Sequence, residues 1–306
     1  MKKEGGASSS TKVILIVSII IVFCTVVSIS LFALVLFEKP TSGNVAIIPI
    51  NGPISATGEA MLGESGASAT EIISFIEDAN KDAQIQAIIL EINSPGGSAV
   101  ASDEIASAVK RTEKPTITLI REVGASGGYW IASATDHIVA HRMSITGSIG
   151  VISSYLEFSG LMNEYGVKYE RLIAGKNKDL GTPFKTLEPT ERAILEAKLA
   201  KIHDYFIQEI AQNRELPEEK VRSLATGEFY LGIEALEFGL IDEVGDITDV
   251  EKYLLDTQSI EEPEYVIYEH QAGLFDFFGS VINSFSYHLG QGITSKLFQT
   301  EAAIKI

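Results

Sequence analysis

The longest apolar pattern in the chain covers residues 13–37, a run of 25 positions without a charge. A helix rises about 1.5 Å per residue, so this run is long enough to cross a bilayer core of about 30 Å. A cleaved signal peptide has a shorter apolar region and ends at small residues, whereas residues 34–37 are bulky here. The pattern therefore predicts a transmembrane signal anchor that is retained in the protein.

Lysines precede this anchor at Lys2, Lys3 and Lys12. Positive charge favours the cytoplasmic side of a membrane, so we expect a cytoplasmic N-terminus and an extracytoplasmic domain from residue 38 onward. Such a compartment permits disulfides, but the single cysteine, Cys24, lies within the anchor. We therefore expect a single-pass protein of the cell membrane without intrachain disulfides.

Beyond residue 44, runs of apolar positions alternate with apolar positions at helical spacing. A capping-box pattern from Ser68 to Glu71 indicates the start of the first helix. The predicted elements are strand 45–50, a helix from 69, strand 86–92, helix 98–111, strand 115–121, a helix from the Ser126 turn to about 134, and strand 137–140. This alternation predicts an α/β fold with a parallel sheet covered by helices on both faces.

The later part of the chain shows helix-like patterns with one further strand-like run. The predicted elements are helix 158–165, strand 167–173, and helices 189–214, 218–225, 233–238 and 250–257. The expected organisation is a cytoplasmic N-terminus (1–12), the anchor (13–37), a linker (38–44), a globular domain (45–261) and a tail (262–306). In the tail, residues 274–278 form an aromatic amphipathic segment with few basic neighbours, which favours a core or oligomer-contact helix over a membrane-surface helix.

Composition narrows the possible partners. Apolar residues make up 45% of the 306 positions, which is ample for a packed core. The formal net charge of −17 argues against nucleic acid as a partner. No cluster of residues has the spacing of metal ligands, and we expect neither a metal nor another cofactor.

Residues 124–128, Gly-Ala-Ser-Gly-Gly, match the G-x-S-x-G turn that exposes a nucleophilic serine between a strand and a helix. Taken alone, the pattern fits equally well a glycine-rich turn in which Ser126 caps a helix. A nucleophilic serine needs a base, and the five histidines stand in no recognisable catalytic context. Lys178, in the glycine-bearing loop 175–179, is the leading base, although such a lysine is ordinarily a solvated surface residue. Burial must favour its neutral form, because neighbouring Asp179 favours the charged one.

Two further loops are rich in small residues. Residues 93–98, Asn-Ser-Pro-Gly-Gly-Ser, join a strand to a helix, and uncovered amides at such a place can stabilise a developing oxyanion. The alternative is a proline-glycine turn without chemistry. Residues 146–151 lie between the serine and lysine segments and indicate little by themselves.

Together, these segments resemble the signal peptide peptidase A family, the membrane-anchored serine-lysine peptidases related in fold to the Clp protease and crotonase group. The matching segments are, in family order, 92–97, 125–129, 146–151 and 175–179. The resemblance extends from about residue 45 to residue 250 and implies repeated ββα units with a parallel sheet flanked by helices. The chain looks like the short form of the family, with one copy of the domain.

The resemblance also implies roles for individual residues. These are Ser126 as nucleophile, Lys178 as general base, Ser148 as a hydroxyl that orients the lysine, and Gly97 as an oxyanion-hole amide. The mechanism that follows from these roles adds the Gly127 amide, next to Ser126, as the expected second oxyanion donor. It further implies a dome-shaped homo-oligomeric ring on the membrane, in which the lysine of one subunit completes the serine site of its neighbour. The expected substrates are apolar peptides, above all the remnant signal peptides left after protein export.

Two other hypotheses remain open. An α/β-hydrolase esterase also uses G-x-S-x-G and would need an acid and a histidine downstream, such as Asp204 or Asp246 with His270, but no H-G-G-G oxyanion loop is present. A membrane-anchored scaffold protein would keep the same fold without catalysis. The serine-lysine peptidase is the favoured hypothesis.

Overall fold

The structure, a computed structural model, describes residues 9–36, 43–58 and 66–269 of the chain. The larger of its two compact units covers Ser42–Glu269. In the N-terminal helix the side chains described are those of residues 16–30. The aromatic segment predicted at residues 274–278 lies outside the described residues.

Within the larger unit, helices surround one principal sheet. The strands are β1 (Val45–Asn51), β2 (Ile54–Ser55), β3 (Ala67–Ser68), β4 (Ala87–Ser94), β5 (Thr116–Ala125), β6 (His137–Ala140), β7 (Ile145–Gly147), β8 (Phe229–Leu231), β9 (Glu243–Val244) and β10 (Tyr265–Ile267). The helices of the chain are α1 (Ser9–Leu36), α2 (Ala69–Lys81), α3 (Ala99–Lys110), α4 (Gly127–Ser133), α5 (Ser159–Glu164), α6 (Pro189–Asn213), α7 (Glu218–Leu224), α8 (Gly232–Phe238) and α9 (Ile247–Gln258).

The principal sheet has the strand order β10-β1-β4-β5-β6-β9, and neighbours along this path run parallel. Strand β4 contributes to both faces: Ile88 and Leu90 belong to one apolar cluster, while Ala87 and Ile89 belong to another. A parallel strand buried on both faces has a near-continuous apolar sequence, as β4 has. The largely parallel sheet with helices on its faces confirms the predicted α/β class.

A short extension of the sheet carries the segment after β6. Strand β7 pairs parallel with the last residues of β5, and β8 pairs antiparallel with β7. In this register Ala125 lies opposite Gly147, so the residues that follow them leave the sheet side by side. The sheet thereby brings Ser126 and Ser148 to one edge.

Most predicted elements are confirmed to within a few residues. Ser68 is the N-cap of α2, and its hydroxyl accepts a hydrogen bond from the Glu71 amide at 3.3 Å. The strand predicted at 137–140 is β6, and the long helix predicted from residue 189 is α6. In α6 the buried apolar residues lie in the C-terminal half, where Phe206 and Ile210 pack against the core.

The strand predicted at residues 167–173 is wrong. This segment pairs with no strand in the described part of the chain, and Val167, Leu172 and Ile173 are exposed. The apolar residues of the segment therefore resemble a strand in sequence, although no strand among the described residues pairs with them.

The C-terminal boundary expected at residue 261 also differs from the structure. Strand β10 follows it and pairs parallel with β1, with Tyr265 opposite Val45. The Val266 side chain is 5% exposed and joins the apolar cluster of β1. The sheet thus extends past the expected start of the tail.

The anchor expected at residues 13–37 falls on α1, a helix of 28 residues. Among the residues described in the structure, no helix combines the length and the apolarity that crossing a membrane requires. The anchor remains a prediction from the sequence.

Candidate active site

Ser126 stands at a sharp turn between β5 and α4, where its backbone has φ 52° and ψ −120°. Residues other than glycine rarely adopt a positive φ, and strained residues of this kind cluster at functional sites. The Ser126 amide donates to the Gly147 carbonyl at 2.8 Å, and the Trp130 amide donates to the Ser126 carbonyl at 2.9 Å. The Ser126 hydroxyl makes no capping hydrogen bond to α4, which argues against the interpretation of this serine as a helix cap.

Two glycine amides lie beside this turn. Gly96 has φ 97°, and a Cβ there would stand 2.6 Å from the Gly127 nitrogen and 2.8 Å from Ser126 Cβ. A Cβ on Gly127 would stand 3.3 Å from the Gly97 nitrogen and would overlap Ser102 Oγ. Within the described ranges, neither the Gly97 N–H nor the Gly127 N–H has a hydrogen-bond acceptor. The glycines therefore bring two free donors next to Ser126, and paired donors of this kind can stabilise a developing oxyanion.

Ser148 occupies the matching position after β7. It too has a positive φ, 49°, and its amide donates to the Glu228 carbonyl at 2.9 Å. Its hydroxyl donates to the Gly227 carbonyl at 3.3 Å. Since that hydrogen bond uses the hydroxyl proton, the oxygen lone pairs of Ser148 can accept a hydrogen bond from a nearby amine.

Ser126 and Ser148 line the same cavity, which has a volume of about 470 Å³. Its other lining residues come from the segment after β7, from α6 and from the α7–β8 connection; they are Gly150, Val151, Ile152, Leu199, Ala200, His203, Ala225, Thr226 and Gly227. A larger cavity of about 740 Å³ lies at the carboxyl ends of β4 and β5 but includes neither serine. The smaller cavity is the better candidate because it adjoins the strained serine.

His203 was not predicted from the sequence to belong to this site. It lies on α6, lines the cavity, and places its Nε2 3.3 Å from the Ile149 carbonyl oxygen. Leu199 and His203 are four positions apart, so they share one face of α6, and this helical spacing is the sequence signal that could have identified His203. The hydrogen-bond partners of Ser148, the carbonyls of Gly227 and Glu228, were also missed, because no local sequence pattern predicts a contact between these distant segments.

Lys178 lies in the loop 175–182, whose turns are closed by backbone bonds such as Lys178 N–H to the Gly175 carbonyl at 3.1 Å. The lysine is exposed, and it is not among the residues that line the Ser126 cavity. A single chain therefore brings Ser126 and Ser148 together but leaves Lys178 outside that cavity's lining.

Asp179, next to Lys178, is bound by two cations. An Arg171 nitrogen lies 2.7 Å from Oδ1, and Lys185 Nζ lies 3.3 Å from Oδ2. The hydrogen bond from Arg171, followed by the one from Lys185, holds the pKa of Asp179 below its ordinary value. The charge of the Asp179 carboxylate is therefore balanced by two partners.

The acids that an esterase would need are engaged elsewhere. Asp204 accepts a hydrogen bond from Arg222 at 2.7 Å. Asp246 caps α9, accepting from the Thr248 amide at 2.8 Å. His270 lies outside the described residues. Nothing in the described structure joins Asp204 or Asp246 to the Ser126 turn.

Sequence comparisons agree with this geometry. The profile of Peptidase family S49 matches residues 108–260, and that of the NfeD1b N-terminal domain matches residues 45–158. A provisionally named protease of Methanocaldococcus jannaschii is 32% identical over 240 residues, which are 77% of this chain and 75% of that protein. A provisionally named signal peptide peptidase SppA of Enterococcus faecium is 32% identical over 234 residues, or 73% of this chain and 68% of that protein. The chloroplastic serine protease SPPA of Arabidopsis thaliana is 32% identical over 206 residues, or 66% of this chain and 30% of that protein.

The strained serine on a largely parallel α/β sheet, taken with these relatives, defines the class as a serine-type protease. The chain belongs to peptidase family S49, of the SppA type. Its sheet and flanking helices fit the Clp protease and crotonase-like fold of that family.

Proposed function

We propose that this protein is a membrane-anchored serine endopeptidase in which Ser126 is the nucleophile and Lys178 the general base. One observation carries the proposal: a strained serine with an uncapped hydroxyl stands beside the free amides of Gly97 and Gly127. A structural turn needs neither the strain nor the unused donors, whereas acyl transfer uses both.

The reaction follows from these positions. Neutral Lys178 Nζ takes the proton of Ser126 Oγ, and the oxygen attacks the peptide carbonyl carbon. The resulting oxyanion accepts hydrogen bonds from the Gly97 and Gly127 amides. The Lys178 ammonium then protonates the leaving amine, the carbon–nitrogen bond breaks, and the acyl group remains on Ser126 as an ester. Water, deprotonated by Lys178, attacks the ester, and the acid product departs as Ser126 regains its proton.

Ser148 would orient the lysine in this scheme. Its hydroxyl proton is directed to the Gly227 carbonyl at 3.3 Å, so its lone pairs are available to the Lys178 amine. Accepting a hydrogen bond from Nζ would fix the amine beside Ser126, because both serines line one cavity.

We propose that Lys178 is supplied by a neighbouring subunit in a homo-oligomeric ring. The support is that Lys178 is exposed and absent from the cavity lining of its own chain. The segment 152–173 also displays apolar side chains that the described chain leaves uncovered, with Ile152 85% exposed and Leu172 98% exposed. A head-to-tail contact repeated around a closed ring would cover these side chains and pair each serine with a neighbouring lysine.

The substrates we propose are apolar peptides, in particular the signal peptides that remain after protein export. The cavity beside Ser126 is lined partly by aliphatic side chains, among them Val151, Ile152 and Leu199, which suit an apolar residue next to the cleaved bond. The name of the Enterococcus relative, a signal peptide peptidase, points to the same class. The charge-free sequence of residues 13–37 supports attachment to the membrane, with the peptidase unit on the extracytoplasmic side.

A mixing experiment tests the nucleophile, the base and their sharing together. Ser126→Ala and Lys178→Ala, made in the full chain, should each lose at least about 10³-fold in kcat towards an apolar peptide. Dissociated and reassembled as an equal mixture, the two variants should recover activity at about a quarter of the sites, since a ring places each serine beside its neighbour's lysine. Lys168→Ala, an exposed lysine of the same segment, is the matched control and should keep normal activity.

The outcomes separate the parts of the proposal. Activity retained in Lys178→Ala would show that this lysine is not the base. Two inactive variants that never recover on mixing would show that the sites are not shared. Failure of a fluorophosphonate probe to label Ser126 in the wild-type protein would favour the scaffold hypothesis. Release of the full chain from membranes by alkaline carbonate would contradict the anchor.

A further inference from the structure

A chain of alternating charges surrounds the loop that carries Lys178. Arg171 pairs with Asp179 at 2.7 Å, Asp179 pairs with Lys185 at 3.3 Å, and Lys185 pairs with Glu191 at 2.6 Å. We call these four residues the ion-pair relay of the loop. Two positive side chains alternate with two negative ones, so the charges of the relay cancel at neutral pH.

Arg171 holds the loop on both sides of Lys178. One of its guanidinium nitrogens donates to the Lys176 carbonyl at 3.2 Å and to Asp179 Oδ1 at 2.7 Å, and its Nε pairs with Asp179 Oδ2. The residues it binds lie two positions before and one position after Lys178. A planar guanidinium can make such a fork with a carboxylate and still reach a carbonyl, which an ammonium cannot. Arg171 therefore limits where the Lys178 backbone can lie.

The other end of the relay attaches the loop to α6. Glu191 lies in the first turn of this helix, and its second oxygen accepts from the Glu188 amide at 3.3 Å. The same helix presents Leu199 and His203 to the Ser126 cavity. The relay thus joins the lysine loop to an element that also shapes the serine site.

Burial distinguishes the relay from ordinary surface ion pairs, which contribute little to stability. The side chains of Asp179 and Glu191 are only 8% and 7% exposed, although residues 175–178 beside Asp179 are exposed. Arg222 offers a contrast, because it also binds two carboxylates, Asp204 and Glu218, but all three of these side chains are about half exposed.

We propose that Arg171, acting through Asp179, is a positioning residue that fixes Lys178 for proton transfer from Ser126. This inference rests on the proposed role of Lys178 as the base. Arg171 touches neither the substrate nor the reacting atoms, so its loss changes where the amine stands and leaves the chemistry of the amine intact.

The test compares Arg171→Ala and Arg171→Lys with Arg222→Ala in the full chain. Arg171→Ala should lower kcat by about 10²-fold, the usual cost of misplacing a catalytic group by about 1 Å, with KM little changed. Arg171→Lys should recover only part of the loss, because it restores the charge opposite Asp179 without the fork to the Lys176 carbonyl. Arg222→Ala should keep the wild-type kcat. Added guanidinium at low concentration should partly rescue Arg171→Ala and leave Arg222→Ala unchanged.

A second measurement asks whether Arg171 acts through Lys178. The rate of Ser126 labelling by a fluorophosphonate should fall when Arg171→Ala is introduced into the wild-type chain but not when it is introduced into Lys178→Ala. A further fall in the Lys178→Ala background would overturn the inference. If Arg171→Ala does not fold, Asp179→Asn replaces it and should show the same pattern.

Failure of the inference and failure of the proposed function give different results. Full activity of Arg171→Ala beside an inactive Lys178→Ala overturns the positioning role alone. An active Lys178→Ala overturns the proposed base. The inference is also overturned if Arg171→Ala and Arg222→Ala lower kcat to the same extent, or if a fall in melting temperature accounts for the lower kcat of Arg171→Ala. Either result would assign Arg171 a purely structural role.

Discussion

The segments that carry Ser126 and Lys178 are built in opposite ways. Ser126 directly follows a central strand of the sheet and precedes a helix in which every residue is buried. Lys178 follows a segment without a paired strand, in which Leu172 is 98% exposed and the loop is held by ion pairs. The position of the serine is therefore fixed by the fold of one chain, whereas the position of the lysine depends on side-chain pairs and, in our proposal, on a neighbouring subunit.

This difference explains why the two halves of the site should respond differently to substitution. In the proposed site, the functional part around Ser126 is the backbone itself, since free amides and positive φ values define the turn. The functional part proposed around Lys178 is a set of charged side chains. Changes that add or remove atoms in the core should affect the first, and changes of charge should affect the second.

The largest contrast is expected from one truncation made in both regions. Leu90 is fully buried in β4, and Leu90→Ala should lower the free energy of unfolding by about 2–5 kcal/mol through lost burial and the cavity left behind. Leu172→Ala should change it by no more than about 0.5 kcal/mol, because Leu172 contacts little of its own chain. Chemical denaturation of both variants at one protein concentration measures the difference.

The same pair of variants also examines assembly. Sedimentation of Leu172→Ala should show weaker oligomers if a neighbouring subunit covers this side chain. An unfolding penalty in Leu172→Ala as large as that of Leu90→Ala would show that the two regions are equally buried, which would break the comparison.

A large effect on activity is expected from adding a methyl group at Gly96. A Cβ there would stand 2.6 Å from the Gly127 nitrogen and would also require a side chain at φ 97°. Gly96→Ala should therefore lower kcat by about 10²–10³-fold, the usual effect of losing one oxyanion donor. Gly160→Ala, in the lysine-bearing segment, is the matched control, because a Cβ there meets nothing within 4 Å.

Steady-state kinetics on an apolar peptide distinguishes the two glycine variants. Gly160→Ala should keep the wild-type kcat and melting temperature. Normal kcat in Gly96→Ala would show that the Gly127 amide takes no part in catalysis. A loss in Gly96→Ala that appears only in KM would point to substrate binding instead.

The sheet and its helices could be predicted from the sequence because local patterns carry them. The N-cap at Ser68 and the apolar run of β4 each satisfy a rule of local structure, and both are confirmed. The strand predicted at 167–173 failed because an apolar run indicates burial without saying what provides it. Strand β10 was missed because its three residues form a strand only through pairing with β1, which is more than 200 positions away.

The site could be predicted in part for the same reason. Glycine spacing around Ser126 predicts a tight turn, and the structure gives that turn with a positive φ. The ion pairs of Asp179 follow no local rule, because Arg171 and Lys185 reach it from either side through long, flexible side chains. His203 entered the cavity only through the packing of α6, which a single sequence does not specify.

The smallest expected effect is an acid-induced release of the Lys178 loop. Hydrogen bonds from Arg171 and Lys185 hold the pKa of Asp179 below its ordinary 3.8, and the hydrogen bond from Lys185 holds the pKa of Glu191 below its ordinary 4.5. A carboxylate with a lowered pKa in the folded state stabilises that state above the ordinary value and loses this contribution as the pH falls through the lowered one. The ion pairs should therefore be intact above pH 4.5 and weaken progressively below pH 3.8.

Hydrogen exchange of the loop amides, corrected for the intrinsic pH dependence of exchange, measures this release directly. Protection of residues 175–182 should be constant above pH 4.5 and should fall first in acid, while protection of β4 persists, because β4 is stabilised by apolar burial that does not titrate. In Asp179→Asn the loop should already exchange faster at neutral pH, since Arg171 and Lys185 have lost the carboxylate between them. If the loop and β4 lost protection together, the lysine region would belong to the same cooperative unit as the serine region, and the contrast between them would not hold.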